Sequence, residues 1–120
     1  GQKMTEPTRI FHNPRCSKSR QTLELLTDRG IEPEIIRYLE TPPTEQELIH
    51  ILNALDYEPR QLMRTKEKEY RELGLDSPEL DREALVRAMV SNPKLIERPI
   101  VIRGDKVALG RPPENVLTIL

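Results

Sequence analysis

The chain has 120 residues, with 19 Lys and Arg set against 20 Asp and Glu for a formal net charge of −1. That length supports a hydrophobic core without staples, and the charge balance excludes a global field that would draw nucleic acid or an anionic membrane. A single cysteine excludes an internal disulfide and a Cys-only metal site, and aromatics at 3% leave no stacking surface for single-stranded nucleic acid.

No apolar run approaches the roughly 18 residues of a membrane helix, and the N-terminal stretch lacks the apolar centre of a signal peptide. A cytoplasmic protein is expected, since a lone thiol fits a reducing compartment. Gly1 to Lys3 precede Met4, a candidate initiator, and read as a cloning remnant. There are no repeats or linkers, so one domain is expected over 4–120.

Thr8 to His12 alternates polar and apolar residues and reads as a strand ending before Asn13-Pro14. A helix follows from Ser17 to Arg29, with Leu23, Leu25 and Leu26 facing the core and Gly30 as its cap. Glu34 to Leu39 is a second strand, and one helix between two strands predicts a right-handed βαβ unit with parallel pairing. Thr41-Pro42-Pro43 breaks the chain. Thr44 and Glu47 then form a capping box for a helix whose Leu48, Ile51, Leu52 and Leu55 share one face.

Two short helical pieces are predicted between Pro59 and Leu73, the first carrying Leu62, Met63 and Arg64, the second ending at Gly74. Asp81 caps a helix through Val90 that Asn92-Pro93 stops. Arg98 to Ile102 starts a third strand, Gly104-Asp105 turns it, and Lys106 to Leu109 returns as the fourth. Gly110-Arg111-Pro112-Pro113 opens a short last helix with Val116, Leu117 and Leu120 available for packing. The order is βαβ, helices, then ββα.

The chemistry concentrates in Phe11 to Arg20, which holds Cys16, His12 and the cations Arg15, Lys18 and Arg20. Cys16 falls between the first strand and Ser17, where the unpaired N–H groups of a helix N-terminus favour a thiolate. A small buried hydrophobe is the common fate of a free cysteine, but this polar, cationic turn favours a nucleophile. His12 can be a strand-end histidine, or it can sit beside the thiol as an imidazolium or a proton acceptor. His50 lies on the second helix, away from the turn, and reads as a surface residue.

Ser19 occupies the second cysteine position of a Cys-x-x-Cys motif, which implies monothiol chemistry with an external resolving thiol. Thr22 stands where a low-molecular-weight phosphatase Cys-x5-Arg loop has its arginine, which argues against phosphate ester hydrolysis. Walker and dinucleotide glycine patterns are missing. Among the many cations, Arg98 and Arg111 stand out because each precedes a proline and borders the final sheet.

The βαβ plus ββα order with a cysteine at the first strand-to-helix turn resembles the thioredoxin and glutaredoxin α/β fold, here with a helical insertion and a four-stranded mixed sheet. The segments His12 to Arg20, Tyr38 to Pro43, Glu72 to Leu75, Glu97 to Val101 and Gly110-Arg111-Pro112 look like those of the ArsC family of glutaredoxin-coupled arsenate reductases. The resemblance implies that Cys16 is the nucleophile, His12 its activating histidine, and Arg64, Arg98 and Arg111 the anion-binding arginines. Asn13, Ser17, Ser19 and Pro99 would support them, with the Arg98-Pro99 bond cis and close to Cys16. It implies arsenate as substrate, glutathione as co-substrate, glutaredoxin as protein partner, no metal or bound cofactor, and a monomer.

Longer family members continue past the last helix, so contacts made by such an extension are expected to be missing. Two other readings remain open. Spx-type regulators share the fold and act by contacting RNA polymerase, but lack the third arginine found here as Arg111. A glutathione-dependent thiol reductase with another substrate is disfavoured by His12 and the three arginines.

Overall fold

Two strands and the helix between them begin the computed structural model, which describes residues 7–120. Gly1 to Lys3 and Met4 lie outside the described residues. β1 (Thr8–Phe11) leads through Asn13-Pro14 into α1 (Ser17–Asp28), and β2 (Glu34–Ile36) then pairs parallel to β1 with Ile10 opposite Ile35. Gly30 takes φ +78, the left-handed conformation that lets the chain leave α1 without a Cβ penalty. β3 (Ile100–Arg103) lies antiparallel on the other side of β1, and β4 (Lys106–Leu109) completes a sheet of order β2-β1-β3-β4. The expected mixed four-stranded sheet is therefore present.

Register decides where the chemistry gathers. Phe11 stands beside Ile36 on one side and Ile100 on the other, and Ile100 stands beside Leu109. That row is the last of β1, β2 and β4 and the first of β3. The chain leaving β1 toward Cys16, the Arg98-Pro99 pair entering β3, and Gly110-Arg111 leaving β4 thus emerge at one end of the sheet.

Two compact units make up the chain. The first contains the described residues up to Arg37 together with Arg98–Leu120; the second is Tyr38–Glu97, the helical insertion. The core of the first unit joins Ile10, Leu26, Val101, Ala108, Val116 and Ile119, with Leu23, Leu25, Ile31 and Leu120 packed around it. The buried face of α1 is Ser19, Thr22 and Leu26, so the expected stripe of Leu23, Leu25 and Leu26 is corrected. Ser19 and Leu26 are seven apart, two helical turns on one face, and Leu23 and Leu25 fall to its flanks. The last helical segment, Pro113–Ile119, is a 3-10 helix that buries Val116 and Ile119 while Leu117 stays exposed.

In the second unit α2 (Glu45–Leu55) buries Leu48, Ile51 and Leu52 and packs with α4 (Arg82–Ser91), which buries Leu85, Val86 and Met89. Thr44 Oγ1 accepts from the Glu47 N–H at 3.1 Å and Asp81 Oδ1 from the Ala84 N–H at 2.8 Å, the caps the sequence predicts. Between them lie a 3-10 turn (Pro59–Gln61) and α3 (Lys68–Glu72), with Gly74 at φ +66. Leu62 closes that turn with φ −96 and ψ −3, and Met63 and Arg64 then leave it in bridging pairing rather than continuing a helix: Met63 bridges Ile96, and the Arg64 N–H donates to the Leu95 carbonyl at 2.7 Å. Among the described residues no helix is long and apolar enough to cross a membrane.

Leu26 is fully buried in the core of the first unit, whereas Leu23 is only partly covered. Leu26→Ala should cost about 2–5 kcal/mol of unfolding free energy, and Leu23→Ala clearly less. Urea denaturation of the two variants checks the order; equal losses would contradict the corrected face.

Candidate active site

Cys16 is the N-cap residue of α1, in extended conformation with φ −97 and ψ 124. The turn before it is held locally: Asn13 Oδ1 accepts from the Arg15 N–H at 3.0 Å, and the Asn13 carbonyl accepts from the Cys16 N–H at 3.0 Å. The Cys16 carbonyl then accepts the first helical bond, from the Arg20 N–H at 3.0 Å. The cysteine thus stands where α2 has a threonine and α4 an aspartate, and no side-chain hydrogen bond caps the helix. The other α-helices each carry an acid in the first turn, Glu45 and Glu47, Glu69, and Glu83; α1 carries none. Its N-terminal field is left unneutralised for an anion.

The Cys16 side chain is largely buried, and burial by itself pushes the thiol pKa up. The backbone N–H of Ser19, the charge of Arg98, the backbone N–H of Lys18 and a contact from the Arg98 side chain together outweigh it. The result is a thiol held below its ordinary value. Arg98 precedes Pro99 through a cis bond, as the resemblance implies, and Arg111-Pro112 is also cis. Arg111 is tied to Arg98, its Nη1 donating to the Arg98 carbonyl at 3.2 Å. The sequence sets Arg98 and Arg111 each before a proline at the border of the final sheet; the fold brings them to one end of it and links them to each other.

His12 follows the last residue of β1, and its N–H donates to the Ile36 carbonyl at 2.9 Å. Its ring is buried, and its Nδ1 shares a 2.6 Å hydrogen bond with Ser19 Oγ. The same hydroxyl accepts from the Asn13 N–H at 3.1 Å. Burial first, then the positive charges of Arg37 and Arg20, lower the His12 pKa. Of the two forms open to it, the neutral imidazole is the one its surroundings favour. The groups that stabilise the thiolate are the Ser19 and Lys18 amides and Arg98, while His12 touches the cysteine helix through Ser19.

Ser17 and Arg20 complete this turn. Ser17 is the first residue of α1 and is exposed. Arg20 Nη1 donates to the Pro14 carbonyl at 2.8 Å, bracing the turn. Arg64 belongs to the helical unit, where its Nη2 pairs with Glu67 Oε2 at 2.9 Å and its Nη1 approaches the Lys94 carbonyl at 3.5 Å. His50 is exposed, as expected of a surface residue.

The family model described as ArsC matches residues 11–119, from the last residue of β1 through the cysteine turn to the end of the last helical segment. The chain belongs to the ArsC family. It is 53% identical over 118 residues to "Uncharacterized protein YfgD" of Escherichia coli (strain K12), covering 98% of this chain and 99% of that one. It is 53% identical over 113 residues to "Arsenate reductase" of Neisseria meningitidis serogroup A / serotype 4A (strain DSM 15465 / Z2491), covering 93% and 97%. The solved structure "Arsenate reductase from Vibrio cholerae" superposes with a TM-score of 0.93 at 49% identity over 98% of this chain and 100% of that one. The thioredoxin-like fold is that of the ArsC family.

Three features of this ArsC-family site escape sequence reasoning. Ser19, read as an absent second thiol and, through the resemblance, as a supporting residue without a stated contact, is fully buried and ties His12 and Asn13 to the helix. Thr22, read only as an absent arginine, is fully buried, with its hydroxyl donating to the Lys18 carbonyl at 2.8 Å. Arg37, the residue just after β2, bears on the His12 ring from the neighbouring chain segment. The spacing of Ser19, Thr22 and Leu26 on one helix face was the available signal for the first two.

The His12 shift carries a stability consequence with a definite sign. A histidine whose folded pKa is depressed favours the folded state above its unfolded value, near 6.5, and loses that contribution as pH falls through the lowered folded value. Thermal unfolding from about pH 8 to pH 5 should therefore show a larger loss of Tm on acidification for the native chain than for His12→Gln. Parallel slopes would contradict a buried, neutral His12.

Proposed function

We propose that this chain reduces arsenate to arsenite, with Cys16 as its one redox-active thiol and glutathione and glutaredoxin as electron donors. The observation that carries the reading is the pairing of the Cys16 sulfur with the Arg98 guanidinium at an uncapped helix N-terminus, in a chain of the ArsC family whose relatives include proteins named arsenate reductase.

Thiolate and arsenate are both anions, so their approach needs fixed positive charge. Arg98 and Arg111 supply it, and the planar guanidinium fork suits a tetrahedral oxyanion. Arg64 is assigned to the same anion by its match to the family motif. Cys16 donates a sulfur lone pair to As(V), and one arsenate oxygen leaves as water after taking up protons. Glutathione thiol displaces a second oxygen as water, giving arsenic bonded to both sulfurs. A glutaredoxin thiolate then attacks the glutathione sulfur, and a mixed disulfide forms. The electron pair of the broken As–S bond stays on arsenic, which becomes As(III). Water replaces Cys16 at arsenic, arsenite leaves, and the thiolate is restored. With Ser19 in the second-thiol position, the chain cannot resolve the intermediate itself, which is why an external thiol enters.

The test couples the protein to glutathione, glutaredoxin and glutathione reductase and follows arsenate-dependent NADPH consumption. Turnover is expected for the native chain, none for Cys16→Ser, and a loss of about 10²–10³ in kcat for Arg98→Ala, the usual cost of removing one preorganised charge-stabilising group. Turnover in Cys16→Ser equal to native, or none in the native chain, would overturn the reading.

A further inference from the structure

We infer that Gly110 is a positioning residue of this site: the missing side chain at 110 lets the β4 end and Pro99 close against Thr22 of α1, and that contact sets Arg98 and Arg111 at Cys16. A Cβ built on Gly110 would lie 2.6 Å from Thr22 Oγ1, 2.8 Å from Pro99 Cγ and 3.3 Å from Thr22 Cγ2. These approaches are below van der Waals contact, so any side chain forces the three segments apart. Gly110 does not adopt the left-handed backbone found at Gly30, Gly74 and Gly104, so the requirement is for space and not for conformational freedom.

The neighbours of this contact leave little freedom to absorb an added methyl. Thr22 and Pro99 are buried, and the Gly110 N–H donates to the Pro99 carbonyl at 2.9 Å. Arg98 and Arg111 are therefore attached on either side of one hydrogen-bonded corner, and the Arg111 side chain ties back to the Arg98 carbonyl at 3.2 Å. Thr22 is held in turn, because its hydroxyl donates to the carbonyl of Lys18, whose N–H faces the Cys16 sulfur. The corner carrying both arginines and the helix carrying the cysteine meet at Gly110. A methyl there moves the guanidinium away from the sulfur while the sheet rows nearer the core keep their pairing.

This inference deepens the proposed function and rests on its assignment of Arg98 and Arg111, but its test does not require arsenate turnover. The rate of Cys16 alkylation by iodoacetamide is followed against pH in the native chain, Gly110→Ala, Thr22→Ala and Thr22→Ala/Gly110→Ala, with and without inorganic phosphate as a tetrahedral anion. For Gly110→Ala the thiolate titration should move up by about one pH unit, cutting the thiolate fraction at neutral pH about tenfold, and phosphate protection should weaken. Thr22→Ala alone gives the baseline against which the double variant is read. The double variant should recover part of the shift, since two of the three close contacts are gone and only Pro99 Cγ remains. If Gly110→Ala does not fold, Thr22→Val, which places a larger methyl where the hydroxyl meets Gly110, should raise the titration in the same direction. A native-like titration in Gly110→Ala, or in Thr22→Val should that variant be needed, or a double variant as shifted as Gly110→Ala, would overturn the inference. A shift in Gly110→Ala alongside a native chain inactive on arsenate would instead remove the proposed function and leave the positioning role standing.

Discussion

An α-helix leaves the N–H groups of its first turn without intrahelical partners, and something must meet them. In α2 and α4 the chain answers with an oxygen-bearing cap and an acid in the first turn, but α1 opens on Cys16 with neither. The amides of Ser19 and Lys18 are left facing a sulfur, and they are best satisfied when that sulfur is an anion. The site follows from this arrangement, because the sheet row Ile36–Phe11–Ile100–Leu109 delivers the arginine-bearing segments to the same end of the sheet as that helix start.

One positive potential then acts on two titratable groups. For Cys16, an acid whose ionised form is negative, the helix amides and Arg98 lower the pKa against the opposing push of burial. For His12, a base whose ionised form is positive, burial and the charges of Arg37 and Arg20 lower it together. A thiolate and a neutral imidazole are the pair this environment selects, and a histidine acting as the thiolate's counter-cation fits it poorly. Arg98 fills that place, and a guanidinium keeps its charge even when enclosed.

Much of this was legible in the residues. Asn13-Pro14 marks the end of β1, Gly30 the end of α1, Thr44 and Asp81 the caps of α2 and α4, and Gly104-Asp105 the hairpin, because each rests on a local rule of turn or cap chemistry. The Cys16 turn was legible for the same reason. What the sequence hid are features made by tertiary packing. Ser19 and Thr22 are polar residues on the buried face of α1, where hydropathy pointed to Leu23 and Leu25 instead. Gly110 looks like ordinary turn punctuation until Thr22 is seen against it. Arg64 could be picked out of 19 cations only by its resemblance to a family motif, since nothing local separates it from its neighbours.

The central claim is that the first turn of α1 and Arg98 together hold Cys16 as a thiolate. Titrating the ultraviolet absorbance of the thiolate in the native chain and in Arg98→Met tests it most directly. A native pKa below the ordinary value near 8.5 is expected, with a rise in Arg98→Met as the guanidinium is lost. A native thiol titrating at or above that ordinary value, or one indifferent to Arg98, would contradict it.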